Sequence, residues 1–222
     1  MKVYEIFSSV QGEGVDVGLV ASFVRFAGCP LKCRYCDTQE ARIGGTEFSH
    51  EEIIGELKNL GLSYVVVTGG EPLSQDGLPD FLFKLSSETW VKRIFVETSG
   101  FFYKADIFVK KVFVNISPKP PSMGMDFPLE SLENFIVNFP DRVQVKFLIL
   151  SEEDLIWILK IVRKYENYFS KKGIIFQPIG IPEKPYSESV KRAIDLVMRE
   201  KTILFRFNVR VIPQIHKLVG IK

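Results

Sequence analysis

Cys29, Cys33 and Cys36 are the only cysteines among 222 residues, and they sit together in the segment GCPLKCRYCDT, Gly28 to Thr38. Thiolates are soft ligands, suited to zinc or to iron–sulfur centres. A structural zinc site takes four ligands, typically as two separated pairs. Here there are three thiols, and the two histidines, His50 and His216, are remote and lack a zinc-like spacing. A catalytic zinc on three closely spaced thiolates would be unusual, and three merely buried cysteines would meet the C-x3-C-x2-C spacing by accident. An iron–sulfur cubane held at three corners accounts for the pattern and leaves one iron without a protein ligand. That open corner is the chemistry the segment offers.

Such a centre needs a scaffold, and the surrounding pattern is that of an α/β protein. Short β-branched and aromatic runs predict strands from Ala21 (ASFVRFAG), Tyr64 (YVVVTGG), Arg93 (RIFVETSG), Val112 (VFVNISPK), Val143 (VQVKFLIL) and Gly173 (GIIFQP). They are nearly continuous apolar runs, as in strands buried on both faces. Helical patterns lie between them. SHEEIIGELKNLG has Ser49 and Glu52 at capping-box spacing, with Gly61 placed to end the helix. SEEDLIWILKIVRKY sets three acids after Ser151, favourable at a helix's positive end, and SESVKRAIDLVMREK from Ser187 behaves similarly. Shorter helices are expected near Leu78–Leu85 and Leu129–Phe135. Strand then helix, about six times over, predicts right-handed crossovers and a parallel sheet. Six units fall short of the usual eight-unit barrel, which leaves a partial barrel or an open doubly wound sheet. The clusters TGGEP, ETSG, SPKP and QPIG all follow strands, at the end where parallel α/β folds bind ligands. The Pro- and Gly-rich loop Ser117–Pro128 lies there too.

Composition is ordinary for a globular chain with a full-sized core: 46% apolar and 25% charged residues. One domain spanning residues 1–222 is expected. A net charge of +2 argues against a large phosphate-binding surface, so nucleic acid is not an expected partner. The start, MKVYEIFSSVQGEG, carries Glu5 within a short apolar stretch and does not read as a signal peptide. No run approaches the ~20 apolar residues that cross a bilayer. An odd, clustered set of cysteines fits a reducing compartment, and a cytoplasmic location is expected.

The cysteine segment resembles the signature of the radical S-adenosylmethionine (SAM) superfamily. The resemblance implies a partial parallel β/α barrel of about six units. It also implies one 4Fe-4S cluster on Cys29, Cys33 and Cys36, whose open iron is chelated by SAM. TGGEP, Thr68 to Pro72, resembles the superfamily's second motif. Its glycines permit close backbone approach, and the backbone at Gly70 and the carboxylate of Glu71 would receive the three donors of the SAM ammonium. By the same resemblance Tyr35 lies beside the adenine, while Glu97, Ser99, Ser117, Pro118, Lys119, Gln177, Pro178, Ile179 and Gly180 fall in SAM-binding stretches.

Three further features narrow the resemblance: SVQGEG from Ser9, FVRFAGC with Arg25 four residues before Cys29, and CDT with Thr38 two residues after Cys36. With ETSG, SPK and the ending RVIPQIHKLVGIK they resemble the 7-carboxy-7-deazaguanine synthase family of the queuosine and deazapurine pathway. The likeness runs from Glu5 to near the C-terminus and is weakest between about Asp126 and Phe169. PIGIPE after Gln177 departs from the family's more usual Pro-Met-Asp-like version. The resemblance implies conversion of 6-carboxy-5,6,7,8-tetrahydropterin to 7-carboxy-7-deazaguanine with loss of ammonia. A 5′-deoxyadenosyl radical would take hydrogen from C6, and ring contraction would follow.

The residues suit that substrate. Gln11 and the backbone of Val10 to Gly12 can read a pterin's amide edge. Arg25, in an otherwise apolar strand, can present a fork to a carboxylate, and Thr68 ends the next strand. The family's magnesium ion would fall on Thr38, which makes sense only if substrate oxygens and waters complete the octahedron. Asp37 is expected to assist electrostatically or to pair with Arg34 or Lys32. The resemblance also implies substrate contact by the terminal carboxylate of Lys222, a flavodoxin or ferredoxin as electron donor, and a homodimer. Two rival readings are an activase that plants a glycyl radical on a partner protein, and a non-catalytic thiolate–metal module.

Overall fold

The computed structural model describes residues 1–221; the expectation for Lys222 lies outside the described residues. All six expected strands form: β2 (Val20–Phe26), β4 (Tyr64–Gly69), β5 (Arg93–Thr98), β6 (Val112–Ile116), β7 (Val143–Ile149) and β8 (Ile174–Pro178). They are mutually parallel and adjacent in chain order. Three more strands were not anticipated. β1 (Lys2–Val10) pairs antiparallel with β2 and with β3 (Thr46–Glu47), and β9 (Val209–Val211) adds a parallel edge beyond β8. Among the parallel strands the order from β2 to β9 never reverses, so the sheet has no doubly wound switch point. It is a partial barrel, open between β3 and β9.

Helices cover the outer face: α1 (His50–Asn59), α2 (Leu78–Ser87), α3 (Leu129–Asn138), α4 (Glu152–Lys164), α5 (Glu166–Lys172), α6 (Tyr186–Arg199), α7 (Lys201–Arg206) and α8 (Ile215–Val219). The expected capping box is present at Ser49/Glu52, and a second, not anticipated, forms at Ser151/Asp154. Gly61 takes φ +73° just past α1, where a side chain would be strained. The expected start at Ser187 is displaced: α6 begins at Tyr186 behind Pro185, whose fixed φ already suits a helix entry. Between β5 and β6 no α-helix forms among the described residues, only a 3-10 turn at Ala105–Ile107. Aromatic side chains cover the sheet there instead. Tyr103 and Phe108 of this connection pack on Phe135 of α3, and Phe108 stacks on Phe139.

Alternation along each strand sorts side chains to two faces. Val24, Val65, Val67, Ile94, Val96, Val114, Val145 and Phe147 point outward into the main core beneath the helices. Phe23, Val66 and Phe95 point inward, join Phe7 and Phe113, and fill the base of the barrel. One step further toward the strands' carboxyl ends, the inward positions become polar: Arg25, Thr68, Glu97, Asn115, Lys146 and Gln177. Register sets Arg25 beside Thr68, and Glu97 beside Asn115. No helix among the described residues is long and apolar enough to cross a membrane. Phe135 is wholly buried at the aromatic cover, so Phe135→Ala is expected to cost about 3–5 kcal/mol, read as a lowered urea midpoint with an unchanged m-value.

Candidate active site

The polar inner layer and the loops above it enclose one cavity of about 590 Å³. Cys29, Cys33 and Cys36 all line it; each is half-buried, and none is in a disulfide. Burial pushes the Cys29 and Cys33 thiols up, with Lys119 countering at Cys33. Bound metal would favour the thiolates outright. No set of three metal-ligating side chains among the described residues is grouped as a single ion would need. Three free thiols spread along one loop fit a cluster with a ligand at each of three corners better than they fit mononuclear zinc.

The cysteine loop rests on the turn after β4. Glu71 N–H donates to the Gly28 carbonyl at 3.1 Å and Gly70 N–H to the Phe26 carbonyl at 3.0 Å. A Cβ on Gly70 would sit 2.3 Å from the Gly28 oxygen and 2.7 Å from Cys29 Cβ. The glycines of TGGEP are thus needed for the approach of two protein backbones. Glu71 also lines the cavity. Its carboxylate is 1% exposed and accepts from Leu73 N–H (3.0 Å), Thr98 Oγ1 (2.6 Å), Ser99 N–H (2.9 Å) and the Ser99 hydroxyl. With about four acceptor sites in all, it is saturated and clamps the β4 turn to the end of β5.

Other expected SAM contacts divide. Tyr35, Gly70, Ser117, Lys119, Gln177, Pro178, Ile179 and Gly180 line the cavity, whereas Pro118 is buried outside the lining. Gln177 Oε1 is buried without a hydrogen-bond partner at the cavity wall, a cost that a donor on a bound ligand would relieve. Ile179, Met123, Leu148 and Leu150 form an apolar pad with Tyr35 packed against it, suited to a flat ring.

The expected substrate readers also line the cavity: Val10, Gln11, Gly12, Arg25 and Thr68, with Thr38 nearby. Arg25 donates through Nε to Glu5 at 2.9 Å, so the ion pair weighed against carboxylate recognition is present. Gln11 Nε2 donates to Glu97 Oε1 at 2.8 Å, which ties Glu97 to the substrate readers. Asp37 pairs with neither Arg34 nor Lys32. Its carboxylate accepts from Lys217 and Gln214, both at 3.1 Å, and from the Thr38 hydroxyl at 3.2 Å. Burial would raise the Asp37 carboxyl, but the Lys217 ammonium and the Gln214 amide outweigh it and hold it well below its usual range.

Sequence reading missed Glu13, Asn115, Lys146, Gln214, His216 and Lys217. Lys146 Nζ donates to Glu13 at 2.5 Å and to Glu97 at 2.8 Å. Asn115 also donates to Glu97, and Gln214 to Glu13. The C-terminal segment reaches the site by bonding Ile215 N–H to the Gly12 carbonyl at 3.0 Å. His216 then occupies the space a side chain on residue 12 would need. One signal was legible: Gln144 and Lys146 are two apart in VQVKFLIL and so share a face.

Comparison with known proteins agrees with this geometry. A family model described as the Radical SAM superfamily matches residues 23–197. A 7-carboxy-7-deazaguanine synthase from Clostridium acetobutylicum is 36% identical over 188 residues, 80% of this chain and 81% of that protein. One from Thermoplasma acidophilum is 31% identical over 223 residues, 99% of this chain and 97% of that protein. The fold is similar to the crystal structure of QueE from Escherichia coli, with a TM-score of 0.67 over 95% of this chain and 92% of that one, at 22% identity.

Two stability effects follow from these contacts. Glu71→Gln places an amide nitrogen against two donors and is expected to cost about 1–3 kcal/mol in denaturant unfolding. For Glu13, burial raises the carboxyl, but Lys146 and Gln214 outweigh it and hold the value near 2, below the ordinary 4.5. The folded state therefore holds fewer protons there than the unfolded state. The stabilisation is complete above about pH 4.5 and is lost as pH falls toward 2. Glu13→Gln should flatten the stability curve across that window in acid titration.

Proposed function

The chain belongs to the radical SAM superfamily and, within it, to the 7-carboxy-7-deazaguanine synthases, and we propose on that premise that it converts 6-carboxy-5,6,7,8-tetrahydropterin to 7-carboxy-7-deazaguanine with loss of ammonia. The observation that carries this reading is one cavity lined both by three free thiols and by a polar layer that includes Arg25, Gln11 and Glu97. Cys29, Cys33 and Cys36 would hold the 4Fe-4S cluster. The orphaned Gln177 Oε1, the apolar pad at Ile179 and the backbone at Gly70 suit SAM. Bound together, cluster and SAM would supply the one-electron chemistry that abstracts hydrogen from a C–H bond.

The protein's own residues bind, orient and exclude water. Arg25 uses Nε on Glu5, and its terminal N–H groups are assigned to the substrate carboxylate. Glu97 moves from the cofactor side to the substrate side, because Gln11 and Asn115 hold it on the inner face. Glu71 and Ser99 position the SAM-facing turn. The phenylalanine layer closes the base of the site, which limits water near the reacting ring.

Magnesium belongs to the same proposal. The Thr38 hydroxyl lines the cavity and donates its hydrogen to Asp37, which leaves its lone pairs for a cation completed by substrate oxygens and waters. Exposed Lys32 and Arg34 on the cysteine loop suit an acidic flavodoxin or ferredoxin as electron donor. Free thiols suit a reducing cytoplasm.

The test is anaerobic reconstitution with iron and sulfide, then mass spectrometry of products from the carboxypterin with SAM, magnesium and dithionite. Carboxydeazaguanine is expected; radical formation only on an added protein would instead support the activase. Cys33→Ala should lose cluster and SAM cleavage together. Arg25→Ala should keep both and weaken pterin binding by about 1.5–3 kcal/mol, a tenfold to hundredfold rise in Kd. An unchanged pterin affinity would remove Arg25 from carboxylate recognition.

A further inference from the structure

Lys146 is the one lysine fully buried among the described residues, at 0% exposure, and it does not itself line the cavity. Its two partners do. Glu13 and Glu97 face the cavity with side chains 18% and 16% exposed, and both are bonded to the Lys146 ammonium behind them. Two carboxylates and one ammonium leave a net charge of −1 on this wall.

Counting lone pairs shows what the wall offers. Glu97 Oε1 accepts from Gln11 and Asn115, and its Oε2 accepts from Lys146. Glu13 Oε1 accepts from Gln214, and its Oε2 accepts from Lys146. A carboxylate has about four acceptor sites, so one remains on Glu97 and two remain on Glu13. Bonded to one ammonium, the two carboxylates are close enough to repel each other. Without that cation each carboxylate loses a donor that fixes it, and neither keeps the orientation that turns its open lone pairs to the cavity.

We infer that Lys146 is a positioning residue for substrate specificity: from behind the wall it holds Glu13 and Glu97 in place and aims their open lone pairs at a ligand edge rich in N–H donors. The chemical class selected is a 2-amino-4-oxopyrimidine ring, whose amine and ring N–H groups lie side by side. A 2-oxo analogue puts a carbonyl where the amine was and meets only acceptors. Strand β7 reinforces the arrangement, because Gln144 accepts from Val15 N–H at 3.1 Å and fixes the loop that carries Glu13. This inference rests on the proposed pterin substrate. It adds a residue that touches neither substrate nor cofactor.

The test uses the reconstituted holoenzyme and equilibrium binding of the carboxypterin across pH 6–9, beside kcat and KM. The charged and titratable groups around the pair are Lys146, Glu97, Asp37, Tyr186, His216, Lys217 and Arg25. Only Lys146 is altered in the first variant. In Lys146→Met, pterin Kd and KM should rise at least about tenfold, the cost of one poorly presented charged hydrogen bond. Preference over the 2-oxo analogue should shrink, while iron content, SAM affinity and the cluster's spin resonance signal stay as in the parent. Wild-type pterin affinity in Lys146→Met across this range overturns the inference, as does a parallel loss of SAM affinity. Should that variant not fold, Lys146→Gln keeps a neutral donor behind the two carboxylates and leaves both of them unaltered. Weak pterin binding with intact SAM binding then supports the role, and parental pterin binding overturns it. Failure of the parent enzyme to bind or convert carboxypterin counts instead against the proposed function.

Discussion

The ammonium of Lys146, wholly buried and bonded to Glu13 and Glu97, joins stretches of chain that are far apart in sequence. Glu13 lies in the loop after β1, Glu97 at the end of β5, and Lys146 on β7. Through Glu13, Gln214 draws in the C-terminal segment, and through Gln214 the contact reaches Asp37 in the cysteine loop. An unpaired charge so deep in a protein costs several kcal/mol, and breaking one side of a buried pair typically costs about 3–5. The segments are therefore held in one arrangement, because any other leaves a buried charge without its partner. Lys146 is raised above the usual lysine range, since its two carboxylates outweigh the burial that opposes its charge.

A second constraint is steric. The cysteine loop and the turn after β4 meet backbone to backbone, at positions where a side chain on Gly69 or Gly70 would overlap the carbonyl of Phe26 or Gly28. Glu71 then spends its carboxylate on Thr98, Ser99 and Leu73. The cavity wall at this turn and the anchoring of the cysteine loop are thus mechanically one feature. The turn that presents Gly70 to the cavity also fixes Cys29.

Division of the barrel interior into layers turns these contacts into a site. Phenylalanines occupy the base, and polar residues occupy the next inward positions on the same strands. A two-residue step along each strand carries the wall from water-excluding to ligand-reading, as side-chain alternation requires. Helices α1 to α7 contribute to stability and not to the chemistry, since their apolar faces meet the opposite side of the sheet, whereas α8 brings His216 and Lys217 to the cavity.

How much of this was legible in the chain follows from what each signal depends on. Six parallel strands, the capping box at Ser49/Glu52, the thiol triplet and the polar strand ends are local patterns, and each reflects propensities acting within a few residues. The antiparallel strand β1 escaped notice because KVYEIFSSV alternates only weakly, and its partner is chosen across the fold. Glu97 was visible as a polar strand end, but its partners were not. Gln11, Asn115 and Lys146 come from three other segments, and only closure of the sheet puts them within bonding distance. His216 looked remote, and Gln214 went unread, for the same reason. The sequence alone determined which atoms could bind metal and where strands would carry them. Tertiary structure decided which charges face one another, because Coulomb and hydrogen-bond energies depend on distances in space that spacing along a chain does not encode.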